Sequence, residues 1–332
     1  MHPALRAISE RRLGIFTTAD ALGAGYGASE IRALCRSGSW VRLRRGVLID
    51  VAALVAAEAT GRRYDIDCLA VLLSLDRPSA VLSHASAARL WEFPTPRTIE
   101  PVFRLTDPVQ WRRGRDYLVT CAPLSAGERW RTGPLPLTSA ARTLVDCARE
   151  WPLEDAVVAM DAALLAERLT PDDLRRATAA VHHWRGAGRA ARATAHADGR
   201  AESPLETRGR LRIVGAGFPA PELQVEVRTG GRLVGVVDAW FDEAAIAVEF
   251  DGQVKYADPW RGRAPERVLW EEKRREDELR ALDIRVARLA DADVGSGWPR
   301  VERRLRELLA VPGPAVRRFT ATPRLAGVRR TG

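Results

Sequence analysis

Acidic side chains concentrate in one short stretch in the last third of the chain. Residues 233–241 and 246–251 read as two strands around a short turn, and they carry Asp238, Glu249 and Asp251. If the turn centres between its two middle residues, Asp238 lies directly opposite Glu249 on one face of a hairpin. Opposed carboxylates repel each other, so such a pair persists where a cation or a proton offsets the repulsion. Clustered carboxylate oxygens suit Mg²⁺, which binds one or two carboxylates together with substrate phosphates.

The other face of this predicted hairpin is uniformly apolar. An apolar face fixes the register, because a slip by one residue would turn the whole face towards water. In this register Asp251 lies opposite Val236. The side chains expected on the apolar face are those of Val237, Ala239, Phe241, Ile246, Val248 and Phe250. The alternative interpretation is an ordinary hairpin with an acidic patch on its surface.

Further polar residues precede the hairpin. A helix is expected to begin near Ser203, which serves as its cap, with Pro204 in its first turn. Glu202 and Glu206 lie four residues apart at this helix start, and Gln224 follows in the next strand. These three side chains are candidates to join the hairpin carboxylates.

Lys255 and Lys273 flank the acidic motif and are the only lysines of the chain. Apart from five histidines, the other basic residues are all arginines, which remain protonated in proteins and cannot act as a base. A lysine can orient an attacking water or stabilise charge that develops on a phosphate. The two lysines are therefore candidates for a catalytic role at this site.

The separated motif pieces resemble a nuclease family over about residues 200–295. They are similar to domain-of-unknown-function nucleases related to very-short-patch repair endonucleases, within the PD-(D/E)XK restriction-endonuclease-like superfamily. The pieces that carry the resemblance are Glu202-Ser203-Pro204-Leu205-Glu206, Gln224, Val237-Asp238, Val248-Glu249-Phe250-Asp251-Gly252 and Glu272-Lys273-Arg274-Arg275-Glu276-Asp277.

The resemblance implies a DNA endonuclease that depends on Mg²⁺ or Mn²⁺. Its metal ligands would be Asp238, Glu249, Asp251 and either Glu202 or Glu206. Gln224, Lys255 and Lys273 would complete the catalytic set. The superfamily usually has its lysine two residues after the second-strand acid, where this chain has Asp251, and related chains often carry His where Lys255 stands. That departure favours the alternative, a transcriptional repressor whose nuclease fold is inactive, whereas the retained acids favour the enzyme.

The first 50 residues have the order of elements of a winged helix-turn-helix. Three short helices are followed by an alternating stretch, 40–49, that turns as a hairpin, and eight arginines face four acids. Such a unit binds DNA by placing one helix in a groove and its hairpin on the phosphates. The predicted DNA-binding residues are Ser29, Arg32 and Arg36 on the third helix and Arg42, Arg44 and Arg45 on the hairpin. The alternative is a small helical domain with a solvated charged face.

Residues 5–150 resemble the AbiEi-type antitoxins of type IV toxin–antitoxin systems. That family implies a winged-helix DNA-binding domain that represses its own promoter, and a toxin as partner. The motifs that carry the resemblance are Phe16-Thr17-Thr18-Ala19-Asp20, Arg44-Arg45-Gly46-Val47, Ser83-His84-Ala85-Ser86-Ala87-Ala88 and Thr138-Ser139-Ala140-Ala141-Arg142-Thr143-Leu144-Val145-Asp146.

Composition excludes a disordered chain and a membrane-spanning protein. The chain has 332 residues, 46% hydrophobic and 29% charged, with a formal net charge of +9, which excludes disorder and favours a polyanionic partner. It lacks an apolar run long enough for a membrane span, and its first residues lack the apolar core of a signal peptide. We therefore expect a cytoplasmic, DNA-binding protein without a membrane partner. Its four separated cysteines are expected to be reduced.

The element pattern predicts an α/β protein, more fully an α+β multidomain chain. The expected parts are a winged helix-turn-helix, an α/β and helical middle, and a restriction-endonuclease-like domain built on a mixed sheet. Their predicted boundaries are 1–50 for the winged helix, 51–150 for the antitoxin-like middle, 151–200 for a helical connector, 201–310 for the nuclease-like domain and 311–332 for a flexible tail.

Overall fold

The computed structural model describes residues 1–252 and 265–324, without the side chains of 265–269. Its contacts divide the chain into two units, each with helices and sheet, so the protein is a mixed α/β multidomain fold. The N-terminal unit comprises Met1–Trp151 and Asp172–Ala191. The C-terminal unit comprises Pro152–Pro171 and the described residues from Arg192 onwards. Within the described ranges no helix is both long and apolar enough to cross a membrane.

The N-terminal unit begins with the predicted winged helix. Its elements are α1 (Pro3–Arg11), β1 (Ile15–Thr17), α2 (Thr18–Gly23), α3 (Ala28–Arg36), β2 (Trp40–Arg44) and β3 (Val47–Asp50). The strands form an antiparallel sheet in the order β1-β3-β2. Thr17 begins α2 with a capping box, in which its hydroxyl accepts the Asp20 N–H while the Asp20 carboxylate accepts the Thr17 N–H. The core between helices and sheet contains Leu5, Phe16, Ile31, Trp40 and Leu48.

A second sheet follows in the same unit. Its strands lie in the order β6-β7-β5-β4-β9-β8, so β6 and β8 form the two edges. The neighbours β4/β9 and β5/β7 run parallel and the other pairs antiparallel. The elements are α4 (Val51–Ala59), α5 (Arg63–Leu75), β4 (Val81–Leu82), α6 (His84–Leu90), β5 (Phe103–Asp107), β6 (Arg112–Arg113), β7 (Tyr117–Cys121), β8 (Arg129–Thr132), β9 (Leu135–Thr138) and α7 (Ala140–Ala148).

One aromatic side chain ties a later segment of the chain to this unit. The guanidinium groups of Arg142 and Arg149 lie 4.7 and 5.0 Å from the ring centroid of Trp184. Arg142 is buried and pairs with Asp146 and Glu128, which offsets the cost of removing its charge from water. These cation–π contacts join to the N-terminal unit the segment 172–191, which includes most of α9 (Pro171–Ala180) and the start of α10 (Ala187–His196).

The C-terminal unit is built on a mixed sheet in the order β13-β12-β11-β10-β14. Only β12 and β13 are parallel among the described strands of this sheet. The elements of the unit are α8 (Leu153–Leu165), α11 (Pro204–Gly215), β10 (Glu222–Thr229), β11 (Arg232–Phe241), β12 (Ile246–Asp251), α12 (Pro265–Ala281), β13 (Arg285–Ala290), α13 (Asp291–Val294), α14 (Trp298–Leu309) and β14 (Thr320–Pro323).

The hairpin of β11 and β12 has the predicted register, since Ala239 pairs with Val248 and Phe241 with Ile246. The predicted apolar face packs in one core cluster, which also contains residues of α11 and α14. Val237 is the exception, because it packs with Trp240 in a second cluster.

The reason for this exception lies on the neighbouring strand β10. Leu223 and Val225 are two residues apart, yet they belong to the two different clusters. Gln224 between them has a left-handed backbone with φ of 52°, which interrupts the side-chain alternation there. A non-glycine residue in this region costs roughly 1–3 kcal/mol and is held by its surroundings.

Two parts of the C-terminal unit differ from the expected division of the chain. Helix α8 was expected within a connector, but it packs against α11, and its buried Asp161 pairs with Arg210 at 3.0 Å and accepts the Thr207 hydroxyl at 2.8 Å. A flexible tail was expected over residues 311–332; within its described part, 311–324, β14 pairs antiparallel with β10. Main-chain pairing and ion pairs between distant segments leave no periodic signal in the sequence.

We predict that Gly209→Ala destabilises the C-terminal unit by about 2 kcal/mol through overpacking. A Cβ at Gly209 of α11 would lie 2.0 Å from Cε1 of Phe250 on β12, so helix and sheet would have to separate. The matched control is Gly215→Ala on the same helix, where an added Cβ meets nothing within 4 Å. Urea denaturation followed by circular dichroism measures both variants. Equal stability of the two would contradict the close packing of α11 on the sheet.

Candidate nucleic-acid interface and acidic cluster

Helix α3 separates its polar and apolar side chains. Ser29, Arg32 and Arg36 are exposed, and their spacing of three and four residues places them along one stripe of the helix. Ile31 is buried in the core of the winged helix and Leu34 is half-buried against it. Because the core holds the opposite face, the polar stripe faces solvent, and its contact with a groove of DNA stays a prediction.

The wing, defined as the hairpin of β2 and β3, presents two of its three predicted arginines to solvent. Arg42 and Arg45 are exposed. Arg44 differs, because its side chain is only 19% exposed, forms an ion pair with Asp116 and lies 5.9 Å from the centroid of the Phe103 ring. Arg44 therefore attaches the wing to the second sheet instead of extending towards a phosphate. The sequence could not reveal this, because Asp116 is 72 positions away.

A cavity of about 500 Å³ lies beside this attachment within the N-terminal unit. Its lining residues come from the wing, from α5 and from the stretch around β5–β7, namely Leu43, Arg44, Arg45, Asp67, Ala70, Phe103, Arg115 and Asp116. Asp67 is already paired with Arg63 at 3.1 Å, and Asp116 with Arg44. The charges left available at the cavity are those of Arg45 and Arg115.

The C-terminal unit brings three of the predicted acidic residues together. Glu206 of α11, Asp238 of β11 and Glu249 of β12 are all buried, with relative exposures of 6%, 6% and 5%. The negative charge of Asp238 acts on both glutamates, raising their pKa values further than burial alone does. Asp238 itself accepts the main-chain N–H of Phe250 at 2.8 Å, which holds the carboxylate between the two strands. These three residues are called the acidic cluster below.

Glu206 is stabilised in the acidic cluster by hydrogen bonds. Its carboxylate accepts the main-chain N–H of Glu202 at 2.8 Å and Nε2 of Gln224 at 3.1 Å. Burial and the neighbouring Asp238 raise the pKa of Glu206 to about 7. The side chain therefore exchanges a proton near neutral pH, as general acids and bases do.

Glu249 is neutralised by arginines that sequence reasoning did not assign to the site. Arg275 of α12 lies 2.9 Å from its carboxylate and also donates to the carbonyl of Val236 at 3.1 Å. Arg288 of β13 lies 3.7 Å from Glu249 and 3.6 Å from Asp251. Burial raises the pKa of Glu249, while both arginines oppose the rise. The only signal in the sequence was the position of Arg275 in the motif 272–277 that follows the hairpin.

The other residues predicted for this site, Glu202, Gln224, Lys273 and Lys255, differ in their surroundings. Glu202 pairs with Arg324 at 2.6 Å, so Glu206, and not Glu202, joins the acidic cluster. Gln224 is 4% exposed, and its Oε1 has no hydrogen-bond partner in the described part of the chain. Lys273 is exposed on α12. Lys255 lies outside the described residues.

The arrangement of the acidic cluster bears on the predicted Mg²⁺ or Mn²⁺ site. Across residues 1–252 and 265–324, no group of three or more His, Cys, Asp and Glu side chains is placed to hold a metal ion. The guanidinium of Arg275 contacts the carboxylate oxygens of Glu249 that an ion would use. In this arrangement arginine provides the positive charge at Glu249, and the Mg²⁺ or Mn²⁺ site stays a prediction.

The raised pKa of Glu206 predicts a dependence of stability on pH. The folded protein retains a proton that the unfolded chain releases at its ordinary pKa of 4.5, so the free energy of unfolding falls as pH rises from about 4.5 to about 7. The expected fall is of the order of 3 kcal/mol. Asp161, whose pKa burial raises to about 6, adds a further fall in the same direction.

The variant Glu206→Gln should lose the Glu206 part of this dependence and keep the part due to Asp161. Urea denaturation at about pH 5 and about pH 8 measures the difference. The control is Glu243→Gln, an exposed residue of the hairpin turn, which should follow the wild type. Equal slopes for wild type and Glu206→Gln would show that Glu206 has an ordinary pKa.

Comparison with known proteins bears on the N-terminal unit. Residues 3–48, which contain the helices and most of the wing, match the family model described as "Transcriptional regulator, AbiEi antitoxin". The predicted AbiEi resemblance is confirmed for this segment, and the resemblance to repair endonucleases stays a prediction. The match makes the segment similar to a DNA-binding transcriptional regulator.

Two relatives that match a larger part of the chain come from Mycobacterium tuberculosis. The uncharacterized proteins Rv2248 (strain H37Rv) and MT2308 (strain CDC 1551) are each 31% identical over 180 residues, or 54% of this chain. The chain spans 65% of the length of these relatives. Among solved structures, the RV2827C protein of Mycobacterium tuberculosis is similar with a TM-score of 0.36 and 18% identity, over 61% of this chain and 78% of that chain.

Proposed function

We propose that this protein is a DNA-binding transcriptional regulator that contacts DNA through α3 and the wing. The observation that carries the proposal is the exposed stripe of Ser29, Arg32 and Arg36 on α3. The opposite face of this helix is held in the core by the buried side chain of Ile31. The match of residues 3–48 to AbiEi regulators supports it. In this proposal the three stripe residues contact base edges, and Arg42 and Arg45 contact phosphates.

The wider role follows from the antitoxin resemblance. A regulator of this kind represses the promoter of its own operon and has a toxin as partner. The C-terminal unit then serves as a second binding module, in which Glu249 of the acidic cluster pairs with Arg275 and Arg288.

The DNA contacts are tested with Arg32→Gln/Arg36→Gln and with Arg42→Gln/Arg45→Gln. The first variant should bind a duplex of the gene's own upstream region at least about 10-fold more weakly and lose its preference over an unrelated duplex. The second should weaken binding to both duplexes alike and reduce the slope of log K against log salt by about 2. Fluorescence anisotropy at several salt concentrations measures both effects.

The matched control removes two exposed arginines of the same unit, Arg175→Gln/Arg176→Gln on α9. This control should bind DNA as the wild type does. If all three double variants lose the same affinity, general charge and not the α3–wing surface determines binding. If the wild type binds neither duplex at low salt, the proposed function is wrong.

A second candidate function is a metal-dependent DNA endonuclease centred on the acidic cluster. One observation favours it: Gln224, whose Nε2 donates to the carboxylate of Glu206, has a strained backbone and a buried Oε1 without a hydrogen-bond partner among the described residues. An unsatisfied oxygen next to buried acids is costly in a site without a ligand. For Mg²⁺ or Mn²⁺ to bind, Arg275 would have to leave Glu249. Lys255 and Lys273 remain the candidate basic groups.

Cleavage of supercoiled plasmid with Mg²⁺ or Mn²⁺ tests the second candidate. The endonuclease predicts nicking by the wild type, a loss of at least about 100-fold in Asp238→Asn, and wild-type nicking by the control Glu243→Gln. Nicking that persists in Asp238→Asn would place the activity elsewhere or in a contaminant. DNA binding without nicking would leave the regulator with a catalytically inactive second module.

A further inference from the structure

A second group of arginines lies next to the wing and is not part of the winged helix. Strands β6 and β7 form a short hairpin at one edge of the second sheet, in which Arg112 pairs with Val119 and Arg113 with Leu118. The connecting turn, 114–116, adds Arg115. We call residues 112–116 the basic hairpin. Its three arginines are all exposed.

The turn of the basic hairpin is held in one conformation. Gly114 donates its main-chain N–H to the carbonyl of Tyr117 at 2.9 Å. A Cβ at Gly114 would lie 2.1 Å from Cε1 of Tyr117, so only glycine fits against that ring. The guanidinium carbon of Arg112 lies over the same Tyr117 ring, 6.0 Å from its centroid. The arginines therefore project from a turn whose backbone is already ordered, which lowers the entropy lost on binding.

The basic hairpin and the wing are joined within the N-terminal unit. Asp116 of the basic hairpin pairs with Arg44 of the wing, and Arg44 in turn packs on Phe103 of β5. Arg45 and Arg115 line the same cavity of about 500 Å³. A ligand that reaches Arg45 at the turn of the wing therefore reaches Arg115 as well.

The charges of this surface are largely available. Within the described part of the chain, neither Arg45 nor Arg115 has a carboxylate partner, and both are exposed. Arg113 is 3.4 Å from Glu100, but the two side chains are 62% and 61% exposed, so water competes strongly with this pair. Exposed arginines on ordered backbone are typical of surfaces that bind the phosphates of nucleic acid.

We propose that the basic hairpin is a second contact to the DNA backbone, continuous with the wing and independent of base sequence. The proposal rests on the proposed DNA-binding function. The phosphate strand that passes the wing at Arg45 continues past Arg115 to Arg112 and Arg113. The Arg44–Asp116 ion pair is the positioning contact that keeps the two surfaces side by side. The DNA segment covered by the protein is accordingly longer than a winged helix alone would cover.

The test is the full chain with Arg112→Gln/Arg113→Gln/Arg115→Gln. Its affinity should fall about 10-fold or more at physiological salt, equally on the upstream duplex and on an unrelated duplex. The slope of log K against log salt should decrease by about 2 to 3, since each phosphate contact contributes about 0.9. Hydroxyl-radical footprinting should show loss of protection at one end of the covered segment only.

The matched control removes three exposed arginines elsewhere in the same unit, Arg131→Gln/Arg175→Gln/Arg176→Gln. Arg131 lies on β8, at the opposite edge of the sheet from the basic hairpin. Equal losses in the control and the test variant would overturn the proposal, because only net charge would then matter. Should the triple variant fold poorly, Arg115→Gln alone replaces it, with an expected slope change of about 1.

The outcomes separate this proposal from the function on which it rests. If the triple variant keeps wild-type affinity, slope and footprint while Arg32→Gln/Arg36→Gln abolishes specific binding, the basic hairpin is not a DNA contact and the regulator stands. If the wild type does not bind DNA, both are wrong. A shortened footprint with sequence preference intact confirms the basic hairpin.

Discussion

The stability of the C-terminal unit depends on how the negative charge of its buried carboxylates is offset. Glu206, Asp238 and Glu249 are almost without contact to water, and a buried charge costs several kcal/mol unless it is paired or neutralised. The chain uses two means within a few ångströms: Arg275 pairs with Glu249, and the pKa of Glu206 rises to about 7 so that it retains a proton. Side chains of α11, α12 and the central strands all take part in this balance.

In the N-terminal unit, the ion pair of Arg44 with Asp116 joins two parts of the fold. Arg44 holds the wing against the second sheet, whereas its neighbours on the wing face solvent. An arginine that is partly buried over an aromatic ring contributes packing as well as charge. The wing is thus a fixed edge of a larger surface, so the proposed DNA interface is a property of the whole N-terminal unit.

Arginine has two uses in this protein: some arginines pair with buried carboxylates, and others are exposed on the surface. In the acidic cluster the structural use dominates, and it weighs against a metal in the same place, since a guanidinium and Mg²⁺ need the same oxygens. In the winged helix and the basic hairpin the exposed use dominates. The regulator proposal fits this division, with recognition in one unit and a charge-balanced module in the other.

Sequence alone determined the local structure: the winged helix, the exposed stripe on α3 and the register of the β11–β12 hairpin, in which Ala239 pairs with Val248. These follow from side-chain periodicity within one element or between two adjacent strands. Tertiary structure decided the partners: Asp116 for Arg44, Arg275 for Glu249, and β14 for β10. Such contacts join residues far apart in the chain and depend on how whole elements pack, so no spacing in the sequence encodes them.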